Sequence, residues 1–335
     1  MQTLIEGIPK AELHVHLEGT LEPKMLLEMA TRNNINVPYD GIDSVYSAYD
    51  FQNLSSFLKL YYGGLEVLCT EQDFYDLTKA YMDRIHLDNV RHTEILFNPQ
   101  NHIKRGVSFE TVFNGIDRAL CESNISSYLI LDFNRTFSIE SAFDILEEAN
   151  KYQYQHRIVG VGLDGIEEGY PPELFTEVFK KAEQLGFHRV CHTGEESPKH
   201  ITDTLDFLNV ERIDHGVQCE DDEKLMQRLV DEQISLTVCP FSNVKLKIFD
   251  KMENHNLKRL MDRGIPITIN SDDPAYFRGY INENYYEVQQ AFNLDSGMII
   301  DLVKNSFKFS FLPEKEKKNH IKNVDTFINV NWKFQ

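Results

Sequence analysis

Basic residues are scarce in this chain: 34 Lys+Arg stand against 53 Asp+Glu, a formal net charge of -19. A field of that sign repels phosphate backbones and anionic headgroups, so neither nucleic acid nor a membrane surface is an expected partner. Cysteine is sparse as well. Cys69, Cys121, Cys191, Cys219 and Cys239 are odd in number, far apart and without C-x-x-C spacing, the pattern of reduced thiols that act as small hydrophobes. No apolar run approaches the length of a membrane span, and Met1 to Lys10 holds no basic segment followed by an apolar one. A cytoplasmic protein is expected. Glycine (17) and proline (11) are too few and too scattered for collagenous or low-complexity sequence. Also missing is the G-x-G-x-x-G turn of a dinucleotide-binding sheet, since His16-Leu17-Glu18-Gly19 ends the first candidate strand.

What is present is an ordinary soluble mixture, 41% apolar over 335 residues, enough to bury a large core. Eight short β-rich runs recur: 11–17, 92–97, 127–133, 158–164, 188–193, 212–215, 235–239 and 265–270. Amphipathic helical patterns lie between most of them, for example Phe175, Val178, Phe179, Ala182 and Leu185, closed by Gly186. Strands alternating with helices imply a parallel sheet, and eight units fit a closed (β/α)₈ TIM barrel. An open doubly wound sheet would give the same alternation, but its Gly-rich first turn is absent. The surplus length falls mostly between the first two strands, where an aromatic stretch includes Phe57, Leu60, Tyr61 and Tyr62. No Pro/Gly/Ser-rich linker flanks it, so the expectation is one α/β domain over 1–335 with a helical lid insertion at about 20–90.

Reactive residues of such a barrel gather at the C-terminal ends of the strands. The first run ends His14-Val15-His16, and a period of two puts both imidazoles on one face. The fifth ends His192-Thr193-Gly194-Glu195-Glu196, the sixth Asp214-His215-Gly216, and the eighth Asn270-Ser271-Asp272-Asp273-Pro274. A hydrophobic core penalises unpaired polar groups, so this concentration at strand ends points to a site. Three imidazoles and a carboxylate, His14, His16, His192 and Asp272, suit zinc or another borderline divalent metal with a position left for water. A proton donor is then needed, and Glu195, three residues past His192, is the candidate, with Glu196 the better fit to a helix N-terminal carboxylate. His215 is placed to orient a metal-bound hydroxide or else to support the ligands from behind, and Asp273, turned by Pro274, either accepts a hydrogen bond from substrate or caps the next turn. For His86, His92, His102, His156, His188, His200, His255 and His320 a structural role is the expectation.

These segments, together with Pro9-Lys10-Ala11-Glu12-Leu13 ahead of the His pair, resemble the adenosine/adenine deaminase family, in the family's order from about Ile8 to Tyr280. The resemblance implies a metal-dependent (β/α)₈ barrel that hydrolyses the 6-amino group of a purine. It makes His14, His16, His192 and Asp272 the ligands of one zinc ion, Glu195 the proton donor, His215 the neighbour of the attacking hydroxide and Asp273 a purine contact. Val238 to Leu246 and Ser271 to Phe277 are similar to the adenine deaminases, which act on the free base. In the nucleoside branch an Asp serving the ribose commonly follows the H-x-H-L stretch, and the longer Glu18 would crowd that space. Two departures stand out: Thr193, where the family usually has Ala, and the 164–167 loop, for which no contact is assigned.

The implied reaction converts adenine to hypoxanthine and ammonia, a step of purine salvage, with a small purine as the partner. Deamination of adenosine or of an N6-substituted adenine is the rival within enzymes. A non-catalytic purine sensor is the rival outside them, although such a protein would be expected to lose Glu195 or a ligand. The H-x-E with P-C-x-x-C pattern of cytidine-type and nucleic-acid editing deaminases is absent, because Cys239 precedes Pro240 and no second cysteine follows.

Overall fold

The computed structural model describes residues 1–153, 157–195 and 197–331. His156 and Glu196 lie outside the described residues. Eight strands run β1 (Lys10–His16), β2 (Val90–Phe97), β3 (Ser126–Asn134), β4 (Ile158–Asp164), β5 (His188–Thr193), β6 (Arg212–His215), β7 (Ser235–Val238) and β8 (Ile267–Ile269). All neighbours are parallel and in chain order, with helices in the connections, the architecture of a TIM barrel. Strands covered on both faces read as apolar runs, which is why these segments stood out as β-rich.

Closure is made by a single bridge. Val15 pairs with Asp272, the His16 amide donates to the Asp272 carbonyl at 2.9 Å, and the Asp272 amide donates to the His14 carbonyl at 3.1 Å. The eighth strand is shorter than the run 265–270; just past it the Asn270 amide still donates to the Val238 carbonyl at 3.0 Å, while its side-chain Oδ1 accepts from the Leu13 amide at 2.8 Å.

The helical stripe beginning at Phe175 forms the helix Thr176–Gln184, preceded by a 3₁₀ turn, and Gly186 follows it with a φ of +86°. Between β1 and β2 lie the helices Pro23–Arg32, Ile42–Ala48, Leu54–Leu65 and Glu71–Leu87. Asn53 caps the third of these by accepting from the Ser56 amide at 2.9 Å. That helix turns Phe57 and Tyr61 onto Tyr276 and Phe277, with ring centroids 5.0 to 5.7 Å apart, and so packs over the chain that follows Asp273. At the opposite end of the barrel, buried Arg212 donates to Glu94 at 2.6 Å and to the Leu13 carbonyl at 3.0 Å, under the ring of Phe311. Among the described residues no helix is long and apolar enough to cross a membrane.

Candidate active site

The strand ends bring His14, His16, His192 and Asp272 together in a buried group. Asp272 Oδ1 lies 3.3 Å from His14 Nε2 and 3.4 Å from His16 Nε2, and the Nε2 atoms of His16 and His192 approach to 2.9 Å. Donors bound tetrahedrally at 2.0–2.1 Å stand roughly 3.3–3.4 Å from one another; the two Asp272 separations match that spacing and the His16–His192 separation is shorter.

The hydrogen bonds behind the cluster set its chemistry. Thr237 Oγ1 donates to Asp214 Oδ1 at 2.6 Å, and its remaining lone pairs face His14 Nδ1 at 2.9 Å. His14 Nδ1 therefore donates to Thr237, which leaves Nε2 facing the cluster without a hydrogen-bond partner at normal distance; against the effect of burial, the Asp214 and Asp272 charges hold this ring above the usual imidazole range. Asp214 also lies 3.9 Å from His192 Nδ1, and Asp132 lies 3.8 Å from His16 Nδ1, each ring backed by a carboxylate. Burial holds His16 and His192 below the usual imidazole range, so both are neutral and available as ligands. The orphaned ring nitrogen of His14, the neutral imidazoles of His16 and His192 and an ionised Asp272 fit a divalent metal. The four side chains can hold one such ion.

Two of the site residues sit in strained backbone. Asp272 has a φ of +63° and His215 a φ of +66°, positions that side-chain-bearing residues seldom adopt. The left-handed turn at Asp272 breaks the alternation of a strand, which lets Asp272 and Asp273 both face the cavity. Asp273 is buried, its Oδ1 has no partner, and burial beside Asp272 pushes its carboxyl well above the usual range. His215 Nε2 lies 3.7 Å from Asp272 Oδ2 and 3.8 Å from Glu195 Oε2. A cavity opens over these groups, lined also by Phe57, Tyr61, Tyr62 and Asp164. All seven residues singled out in the sequence thus meet in one place, with His16, His192, Glu195, His215, Asp272 and Asp273 lining the cavity and His14 behind them.

The departures from the family pattern acquire a use. Thr193 Oγ1 donates to Glu167 Oε2 at 2.8 Å, and Glu167 also accepts from the amides of Gly194 and Glu195, both at 3.2 Å. The 164–167 loop, left without a contact in the sequence reading, therefore holds the segment that carries Glu195. Glu18 does not reach the cavity wall. Its Oε1 accepts from His102 Nε2 at 2.9 Å and from the Asn98 amide at 3.3 Å, and Asn98 in turn donates to Asp164 at 3.3 Å. The crowding expected of Glu18 is therefore not made by its side chain, because His102 and Asn98 hold the carboxylate away from the cavity; Asp164, which does line the cavity, has its carboxyl pushed up to about 7 by burial and by the Glu18 charge nearby. Sequence reasoning did not single out Asp132, Asp164 or Glu167. The first two are carboxylates at strand ends, the same signal that found Asp272.

Residues 9–327 match the adenosine deaminase family. The adenine deaminase of Acinetobacter baylyi is 49% identical over 96% of this chain and 98% of its own length. That of Psychrobacter cryohalolentis is 50% identical over 98% of this chain and 100% of its own. A crystal structure of adenine deaminase from Arthrobacter aurescens superposes with a TM-score of 0.92 at 41% identity, covering 96% of this chain and 100% of that one. The chain belongs to the adenosine deaminase family and groups within it with the adenine deaminases.

Proposed function

We propose that this protein hydrolyses the 6-amino group of adenine, giving hypoxanthine and ammonia, with one zinc ion held by His14, His16, His192 and Asp272. The observation that carries the reading is the convergence on a single cavity of that buried cluster, the carboxyl of Glu195 and the ring of His215. Three imidazole nitrogens and one carboxylate are a donor set suited to zinc. Bound there, such an ion makes water a nucleophile at neutral pH.

The chain's own residues do the rest. Glu195 gives a proton to the purine N1, which drains electron density from C6 and readies that carbon for attack. His215 hydrogen-bonds the incoming oxygen and fixes its approach. Asp273, with Oδ1 unpartnered, holds the purine edge. As water adds at C6 it returns one proton to the Glu195 carboxylate, leaving a tetrahedral carbon that bears OH and NH₂; the hydroxyl proton passes to the amino nitrogen, the C6–N bond breaks, ammonia leaves, and the ring keeps the N1 proton as the oxo form. The aromatic lining of Phe57, Tyr61 and Tyr62 excludes bulk water, which strengthens each of these interactions. Asp164 lines the same cavity, and the likeness to adenine deaminases at 49% and 50% identity supports the free base as the preferred substrate.

Ammonia release from adenine, adenosine, AMP and N6-alkyl adenines tests the reading. Adenine is expected to be turned over far faster than adenosine, with loss of activity on chelation and in Glu195→Gln. Comparable efficiency on adenine and adenosine overturns the free-base assignment, full activity after chelation overturns the metal, and binding of adenine without turnover points to a sensor.

A further inference from the structure

Behind His215 runs a chain of buried hydrogen bonds whose direction can be worked out. His215 Nδ1, the nitrogen turned away from the cavity, faces Asn243 Nδ2 at 3.3 Å. Asn243 Oδ1 faces His255 Nε2 at 3.1 Å, and His255 Nδ1 faces the Leu257 backbone nitrogen at 3.0 Å. Asn243 and His255 are fully buried and His215 nearly so, and neither Asn243 nor His255 touches the metal cluster or lines the cavity.

A backbone N–H can only donate, so His255 Nδ1 accepts and carries no proton. A neutral ring then has its proton on Nε2 and donates it to Asn243 Oδ1. This settles which way the amide lies, because the reversed amide would press its NH₂ against a ring N–H. The NH₂ of Asn243 therefore faces His215 Nδ1, which must accept, and the single proton of neutral His215 sits on Nε2, aimed into the cavity at Glu195 and Asp272. Burial and the cation of Arg259 hold His255 at about 3, which keeps its ring neutral and the polarity of the chain intact. Phe249 packs against His255 with ring centroids 4.3 Å apart and planes tilted by 33°, and restrains it further.

We propose that Asn243 and His255 are positioning residues that lock His215 as an Nε2–H donor toward the incoming oxygen. The inference rests on the deaminase reading for the use of that proton, whereas its position follows from the hydrogen bonds alone. His255, expected from sequence to be structural, thus acts through Asn243 on the reacting groups without touching them.

Nitrogen-15 NMR of the histidine-labelled holoenzyme tests this directly, with resonances assigned by deleting His215 and His255 singly. The expected spectrum has Nδ1 of both rings unprotonated and hydrogen-bonded, and Nε2 of both protonated. In Asn243→Asp the side chain can only accept, so the proton of His215 moves to Nδ1, and kcat on adenine falls on the order of 10- to 100-fold with KM little changed. A protonated Nδ1 on His215 in the unaltered enzyme overturns the proposal. So does Asn243→Asp with the ring state of His215 unchanged, or with that state reversed and kcat retained. If Asn243→Asp does not fold, the spectrum of the unaltered enzyme still decides. Should adenine prove not to be a substrate, the same spectrum separates failure of the functional reading from failure of the relay.

Discussion

The backbone amide of His16 donates to the carbonyl of Asp272 across the seam where the barrel closes, so two of the four clustered donors are also the residues that join its first and last strands. Ligand geometry and barrel closure are mechanically one feature.

Asp272 is therefore the substitution expected to couple metal and stability. Asp272→Ala removes a donor and places alanine at a φ of +63°, a conformation that costs about 1 kcal/mol, while Asp272→Asn tolerates that backbone and loses only the charge. Both variants are expected to lose bound metal and activity. Because metal binding adds to folding free energy, the melting temperature of each should fall to near that of the chelated parent, with Ala below Asn. Elemental analysis and calorimetry check this, and full metal content in Asp272→Ala contradicts it.

Glu167 gathers the segment that bears Glu195 by accepting from Thr193, Gly194 and Glu195 at once. Glu167→Gln replaces an acceptor oxygen with a donor and is expected to lower kcat on the order of 10- to 100-fold through displacement of the acid, leaving metal content unchanged. Thr193→Ser keeps the hydroxyl and should stay near the parent value, with Thr193→Val falling below it. Equal kcat in Ser and Val variants would show the hydroxyl to be unimportant.

Gly19 is a second dependence of the site on close approach. A Cβ built there would stand 2.7 Å from the Asp273 Cα, with the Asp273 carboxyl closer still, and backbone on that side cannot give way cheaply. Gly19→Ala is expected to displace Asp273, costing about 1–3 kcal/mol of stability and raising KM for adenine. Steady-state kinetics beside a thermal melt measure both, and an unchanged KM contradicts the placement of Asp273 at the substrate.

The acid limb of stability should report on Glu94. Burial alone would raise this carboxyl, but the charges of Arg212 and His92 and the Phe311 amide hold it at about 2, against 4.5 when unfolded. A lowered value contributes stability that is present above pH 4.5 and is lost as the pH falls through about 2, roughly 3 kcal/mol in all. Urea titrations from pH 6 downward should therefore show a steeper loss in the parent than in Glu94→Gln, which has no charge to protonate. Parallel curves would contradict the assignment.

Much of this molecule could be read along the chain. Strands β4, β5 and β6 begin and end where the β-rich runs do, and β4, buried on both faces, reads as a nearly continuous apolar stretch. The pairing of His14 with His16 on one face follows from the two-residue period of a strand, and the chemistry at the ends of runs follows from the position of reactive residues in a barrel. Those are local regularities, and local sequence encodes them.

Tertiary structure decided what lies between residues far apart. His16 and His192, 176 positions from each other, touch only because the barrel curves them together. The left-handed turn at Asp272 that aims two adjacent aspartates one way, the tethering of Glu18 by His102, and the carboxylates Asp132 and Asp214 behind the imidazoles have no periodicity to announce them. His255 is the clearest instance. The direction of its proton is set locally, by the Leu257 amide two residues on, but its consequence is felt two hydrogen bonds away at His215, which only the fold brings to Asn243.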